Sequence, residues 1–458
     1  MMKERINDPA CGSMERLQAL RHYIQKVFLE QGEQWVPQTN GEVNNHIHTI
    51  YSFSPYTPAM AALKAWESGL EAAGSVDHDS LGAAEEMLTA CEILGIGGCV
   101  GFEVRVNFKY GPDGNPGPFA ERKINNPDSQ GLVYMTVQGI PRQAYGKVRN
   151  FLQPLQEVRN KRNRAMVERI NTKLSHVGLK NLSFEKHILP LSQAHTGGSV
   201  TERHLMAAVA RLLIEEFEAG PALVGALGSQ FGIKPSPKLT MLLGDRTNPH
   251  YLFDLIGLLK TDFLPDVFIQ PDDSECIPAK QVVDFARSIG GIPAYAYLGD
   301  VKDSPTGDKK AEHFEDAYLD ELFQELQRLG YQAVTYMPPR NTKEQLQRVQ
   351  NLCKQYNFME ISGVDINSSR QSFTCPEVLL PAFHHLVDST WALIAHERLA
   401  SINIHYGLFH PENPLAGLSL AKRIAAYAKI GQSFDRQHPE ESARRIIQEK
   451  QLEVYRYE

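Results

Sequence analysis

From Glu42 onward, short strand-like runs alternate with longer segments whose apolar positions recur three and four residues apart. That alternation is the pattern of β-strands joined by amphipathic helices. The first runs predict strands over Glu42–His48, Ala72–Val76 and Gly98–Val106, with helices over Pro58–Ser68 and Leu81–Leu94 between them. Residues 107–130 interrupt the rhythm: Tyr110-Gly-Pro-Asp-Gly-Asn-Pro-Gly-Pro118 and Asn125-Asn126-Pro127 are turn chemistry and read as a long rim loop. Gly131–Gln138 reads as a further strand.

Residues 143–262 lose the strand signal. They predict helices over Ala144–Leu155, Glu157–Val177, Glu202–Glu218 and Asn248–Leu259. The strand–helix rhythm returns with strands over Val267–Gln270, Ile292–Tyr297, Gln332–Tyr336 and Phe358–Ser362. Helices over Ala279–Ser288, Lys310–Leu329, Thr342–Tyr356 and Pro376–Leu399 separate and follow them, and Thr342-Lys-Glu-Gln345 fits a capping box. Seven or so βα units split by helices predict an α/β chain folded as a (β/α) barrel with a mainly helical insertion. The expected organisation is a helical extension over 1–40, with Met14–Gln31 its main helix, and a first barrel part over 41–142. An insertion over 143–265, a second barrel part over 266–400 and a C-terminal extension over 401–458 follow. The pattern places no clear element in the last of these.

Composition narrows the class without naming a chemistry. The chain has 458 residues, 42% apolar and 22% charged, with a net charge of −7. That balance weighs against a nucleic-acid-coating protein while leaving a local basic pocket open. Six cysteines without C-x-x-C spacing read as reduced thiols, not as a disulfide framework or a thiolate zinc site. The sequence shows no signal-peptide core and no uncharged apolar run of membrane-spanning length, so the expected setting is cytoplasmic, with no membrane partner. The oligomeric state is left open.

Active sites of βα barrels form at the C-terminal ends of the strands. The residues there are His46 and His48, Asp77 and His78, Glu103, Asp300, Arg340, and Asp365 with Asn367. Side chains at i and i+2 on a strand share a face, so His46 and His48 converge. Imidazole with carboxylate is a ligand set for Zn, Mn or Fe. Each has a plainer reading: hydrogen-bonded core histidines, a turn or cap acid at Asp77, strand-end or turn acids at Glu103 and Asp365. Arg340 and Arg370 suit bidentate phosphate binding, and Arg105 shares the face of Glu103, although most loop arginines are solvated. His195 and His204 are weaker candidates, and Tyr297 is placed either to touch substrate or to pack in the core.

His-Ile-His-Thr-Ile-Tyr-Ser (46–52), Val-Asp-His-Asp-Ser (76–80) and Gly-Phe-Glu-Val (101–104) resemble, in order and spacing, the first three motifs of the PHP family, the polymerase and histidinol phosphatase metallohydrolases. Ile-Pro-Ala-Tyr-Ala-Tyr-Leu-Gly-Asp (292–300) and Ser-Gly-Val-Asp-Ile-Asn (362–367) are similar to its last two. The resemblance covers roughly 41–106 and 266–370. It implies a distorted (β/α)7 barrel and one to three divalent metals that activate water against a phosphate ester. It also implies metal ligation by His46, His48, His78, Glu103 and Asp365, with Asp77 ligating or orienting. Asp77 and His78 would position water or protonate the leaving group, and Arg340 or Arg370 would neutralise phosphate oxygens. Two positions depart from the family pattern: Tyr297 and Asn367 stand where histidines are usual, and His204 is the candidate replacement ligand. A small phosphorylated metabolite or nucleotide is the expected substrate. The alternatives are a catalytically impaired protein that binds a phosphorylated ligand or structural metal, and a nuclease acting on short nucleic acid.

Overall fold

The computed structural model describes residues 2–31, 38–126, 128–300 and 314–455. Seven strands form one sheet whose spatial order is their sequence order: β1 (Val43–Ile47), β2 (Ala72–His78), β3 (Gly97–Asn107), β4 (Leu132–Gln138), β5 (Ile292–Ala296), β6 (Ala333–Tyr336) and β7 (Met359–Ser362). Pairs β1–β2, β2–β3, β5–β6 and β6–β7 are parallel. β4 runs antiparallel to both neighbours, because the turn-rich 108–131 loop, and no helix, joins it to β3. Beyond β7 the chain bends back to β1: His48 N–H donates to the Ile366 carbonyl at 2.9 Å and Ile366 N–H to that of His46 at 3.1 Å. Those two bonds nearly close the sheet into a distorted barrel. Gly363 permits the approach, since a Cβ there would fall 2.5 Å from that of His46.

Helices Pro58–Glu67, Ala84–Leu94, Ala279–Ser288, Leu319–Leu329 and Lys343–Tyr356 cover the outside of the parallel pairs. The expected capping box is present, with Thr342 N–H bonded to Gln345 Oε1 at 2.9 Å and Gln345 N–H to Thr342 Oγ1 at 3.3 Å. Helix His385–Ile402 is buried almost all round, which is why it carries no polar stripe. It packs between the sheet and helix Leu420–Gln432 of the C-terminal region. At the other terminus, helix Ser13–Gln31 is tied down by a buried pair between Arg16 and Glu86.

Four expectations need correcting. Val267–Gln270 is not a strand: Leu264–Val267 makes one helical turn, and the carbonyls of Phe268 and Ile269 accept from Arg169 and Arg162 side chains instead of a ladder. Two helices expected over 144–177 are one, Tyr145–His176, which continues through Pro154. The helix expected from Lys310 begins at Leu319, after a single turn at Asp316–Tyr318, and its first expected residues lie outside the described ones. The run Pro376–Leu399 splits at Leu380–His384, with a short turn Pro376–Leu379 before the long helix. Helices Pro221–Phe231 and Pro237–Gly244 have no counterpart in the sequence reading. Residues from Met166 to Val267 share their own hydrophobic cluster, apart from the one that joins the barrel with both terminal regions. Among the described residues no helix is long and apolar enough to cross a membrane, and all six cysteines are free.

Candidate metal centre

Strand geometry assembles the site. His46 and His48 leave β1 on one face, His78 ends β2, and Glu103 lies directly opposite His78 in the β2–β3 register. The closing bonds at Ile366 bring Asp365 alongside His48. His46 Nε2 lies 3.1 Å from Glu103 Oε2, and His48 Nε2 lies 3.3 Å from Asp365 Oδ1 and 3.7 Å from Glu103 Oε2. His78 Nδ1 lies 3.7 Å from Glu103 Oε1. Among the described residues, two groups of three have all their ligand atoms within 4.8 Å: His46, His48 and Asp365, and His48, His78 and Glu103. The donor set of imidazole nitrogens and carboxylate oxygens suits a divalent transition metal.

The cluster is strongly polarised. Burial opposes a charge on His48, but Asp365, Glu103 and Asp77 outweigh it and raise its pKa. Burial would raise the carboxyl of Glu103; His78, His46 and His48 more than reverse that, lowering it to about 2. Asp365 keeps 37% of its side chain open, and its partial desolvation is outweighed by His48, His46 and Arg203, so it too sits well below the usual carboxylate range. His78 goes the other way: burial lowers its pKa to about 3, so its imidazole is neutral across the working range.

Asp77 faces away from this cluster. Its carboxylate accepts from Thr49 N–H and Thr49 Oγ1, each at 2.7 Å, and from Ser52 Oγ at 2.6 Å. With its proton given to Asp77, Ser52 Oγ is an acceptor toward His48 Nδ1 at 3.2 Å. Protonated Nδ1 leaves Nε2 as the ligating lone pair, the arrangement in which a carboxylate fixes the tautomer of a metal-binding histidine. Asp77 therefore stands behind His48, and its carboxylate is not part of either group of ligand atoms.

Three further expectations are corrected. His204 does not join the cluster: its Nδ1 accepts from Thr201 N–H at 3.0 Å at the start of helix Glu202–Phe217, its ring meets Phe53 edge-on, and burial lowers its pKa to about 3. Arg370 is held bidentate by Asp254, at 2.6 and 2.7 Å. Arg340 does not line the cavity; its Nε donates to the Leu298 carbonyl at 3.0 Å. The two departures also acquire roles. Tyr297 donates to Asp316 at 2.6 Å, and Asn367 donates to Asp365 Oδ1 at 2.7 Å. Neither presents a free ligand atom, so the second group has only His78 and Glu103 beyond the shared His48.

A cavity of about 200 Å³ opens from the cluster toward the insertion. Its walls include Tyr134, Tyr297, Met337 and Phe268, with Arg105, Arg159 and Arg203 on the insertion side. Arg105, Arg159 and Arg162 form a buried network with Asp79, Glu202 and Glu275, three cations against three anions. Sequence reading reached Arg105 but missed Arg159 and Arg203. They sit in helices whose sequence gives no sign that they fold back over the barrel rim.

No family model matches the chain, and no curated protein does. Two solved structures are similar in shape, each with 15% identity and a TM-score of 0.46. One, from Bifidobacterium adolescentis, is assigned by inference as a metal-dependent phosphoesterase; the alignment covers 73% of this chain and 91% of that one. The other is an amidohydrolase from Chromobacterium violaceum with bound sulfate and no metal, over 75% of this chain and 95% of that one. At such values the likeness carries no functional argument.

Proposed function

We propose that the protein is a metal-dependent hydrolase acting on a small phosphate ester, in a cytoplasmic setting. The observation that carries this reading is the convergence of His46, His48, Glu103 and Asp365 at one end of a small cavity that also holds a guanidinium. Those four residues would hold the first cation, with His78 and Glu103 the incomplete beginnings of a second site. A divalent cation there supplies Lewis acidity, lowering the pKa of water toward neutrality and offsetting charge on phosphate oxygens. The chain does the rest. Ser52 and Asp77 set the tautomer of His48, Asn367 fixes Asp365, and neutral His78 borders the cavity as a hydrogen-bonding group. The narrow cavity, below the roughly 300–1,000 Å³ of drug-sized pockets, favours a small metabolite over a nucleic-acid strand.

A second reading, a binding protein of impaired activity, draws on Tyr297 and Asn367, whose side chains are committed to Asp316 and Asp365. The experiment is elemental analysis of protein purified without chelator, beside a His46→Ala/His48→Ala variant, followed by a phosphate-ester screen with Mn, Zn and Fe. Bound metal lost in the variant together with ester hydrolysis supports the hydrolase. Metal without hydrolysis at any loading favours the binding protein, and absence of metal after reconstitution overturns both.

A further inference from the structure

Arg203 differs from the other two arginines that line the cavity, Arg105 and Arg159. Arg370 is committed to Asp254, and Arg105, Arg159 and Arg162 are balanced one for one by Asp79, Glu202 and Glu275. Among the described residues no carboxylate lies within ion-pair distance of Arg203. Among those residues its hydrogen bonds run from Nη1 alone, to Asn367 Oδ1 at 2.7 Å and to the Asn367 carbonyl at 3.1 Å. Anchoring Nη1 leaves the opposite edge of the guanidinium, Nε and Nη2, uncommitted while the residue lines the cavity. That edge is the two-donor fork that matches a pair of phosphate oxygens.

Charge points the same way. The arginine network beside it is neutral in itself, whereas Arg203 sets a positive charge on the cavity wall, where it favours a bound anion. The anchor also couples the two halves of the site: Asn367 accepts from Arg203 through Oδ1 and donates to Asp365 through Nδ2.

Resting on the hydrolase reading for the metal centre, we propose that Arg203 is the anion-recognition residue, its Nε–Nη2 edge taking two non-bridging oxygens of a tetrahedral phosphate group held against the metal centre. The insertion, which carries Arg203, thereby selects phosphorylated substrates over neutral ones.

The test is calorimetric titration of the Mn-loaded protein with inorganic phosphate, for the wild type, Arg203→Lys and Arg203→Ala, with metal content measured in each. Phosphate affinity should fall about 10- to 100-fold in Arg203→Ala, the range of a charge-assisted pair. Arg203→Lys should recover only part of it, since an ammonium has no fork, and metal content should stay constant. Unchanged affinity in Arg203→Ala, absence of phosphate binding by the wild type, or loss of metal in parallel with phosphate would overturn the proposal. Arg203-dependent phosphate binding with no ester hydrolysed would leave it standing and sink the hydrolase reading. Hydrolysis combined with Arg203-independent binding would do the reverse.

Discussion

Asn367 donates its side-chain amide to the same Asp365 oxygen, Oδ1, that faces His48 Nε2. The amide acts as a clamp on a carboxylate that would otherwise rotate at the open end of the site. Asn367→Leu should therefore weaken the first cation by roughly tenfold or more, as loss of a partner behind a ligand does, with secondary structure unchanged. Competition against a chromophoric chelator measures it; equal affinity would show that Asp365 needs no clamp.

Ser52 is the smallest group on which the centre depends. Its single hydroxyl links His48 Nδ1 to Asp77. Ser52→Ala should lower metal affinity about 10- to 100-fold. Asp77→Ala should add a fold penalty of about 1–3 kcal/mol, because the buried Thr49 N–H loses its acceptor. Metal titration and urea denaturation of the two variants separate these effects.

Glu275 accepts from Arg105, Arg159 and Arg162. Glu275→Gln removes one of three anions from a buried neutral network. A loss of about 3–5 kcal/mol is expected, the usual cost of an uncompensated buried charge. Denaturant unfolding should show it; a change below about 1 kcal/mol would mean that water enters the network.

Two buried carboxyls make stability fall with rising pH. Burial raises Glu397 to about 8, against Arg398 and the Val100 N–H bond, and raises Glu315 to about 8 as well. Between the ordinary value of 4.5 and about 8, the folded chain holds protons that the unfolded chain has released, so unfolding becomes easier as pH rises through that window. Metal-free protein should show a higher melting temperature at pH 5 than at pH 8, and Glu397→Gln should flatten the slope. An unaltered slope in that variant would remove Glu397 from the account.

The strands, and the meeting of His46, His48, His78, Glu103 and Asp365 at one rim, were legible because their logic is local. Alternation along β1 predicts that His46 and His48 converge, and strand ends in a barrel share one rim. His204 failed because its neighbours in sequence, above all Thr201, claim its Nδ1. Arg340 and Arg370 failed because guanidinium chemistry says what a side chain can bind and nothing about which partner is nearer: the Leu298 carbonyl and Asp254 are distant in sequence. Val267–Gln270 looked like a strand because apolar content cannot report that the position beside β5 is taken by β4. Arg203 was invisible for the same reason: its place depends on how the insertion returns to the barrel.

That return is governed by β4. A reversed strand delivers the chain to the end of the barrel opposite the metal ligands, and the next element must climb back. Helix Tyr145–His176 does so with 32 residues, about 48 Å at 1.5 Å each. Phe151 stacks on Phe285 low on the climb, and Arg159 and Arg162 reach Glu275 from about the middle of the helix. The helix is thus a ruler with an angular scale. Removing one residue between Phe151 and Arg159 would swing both arginines about 100° around the axis and shift everything they support. The helix after β4 has a phase to keep.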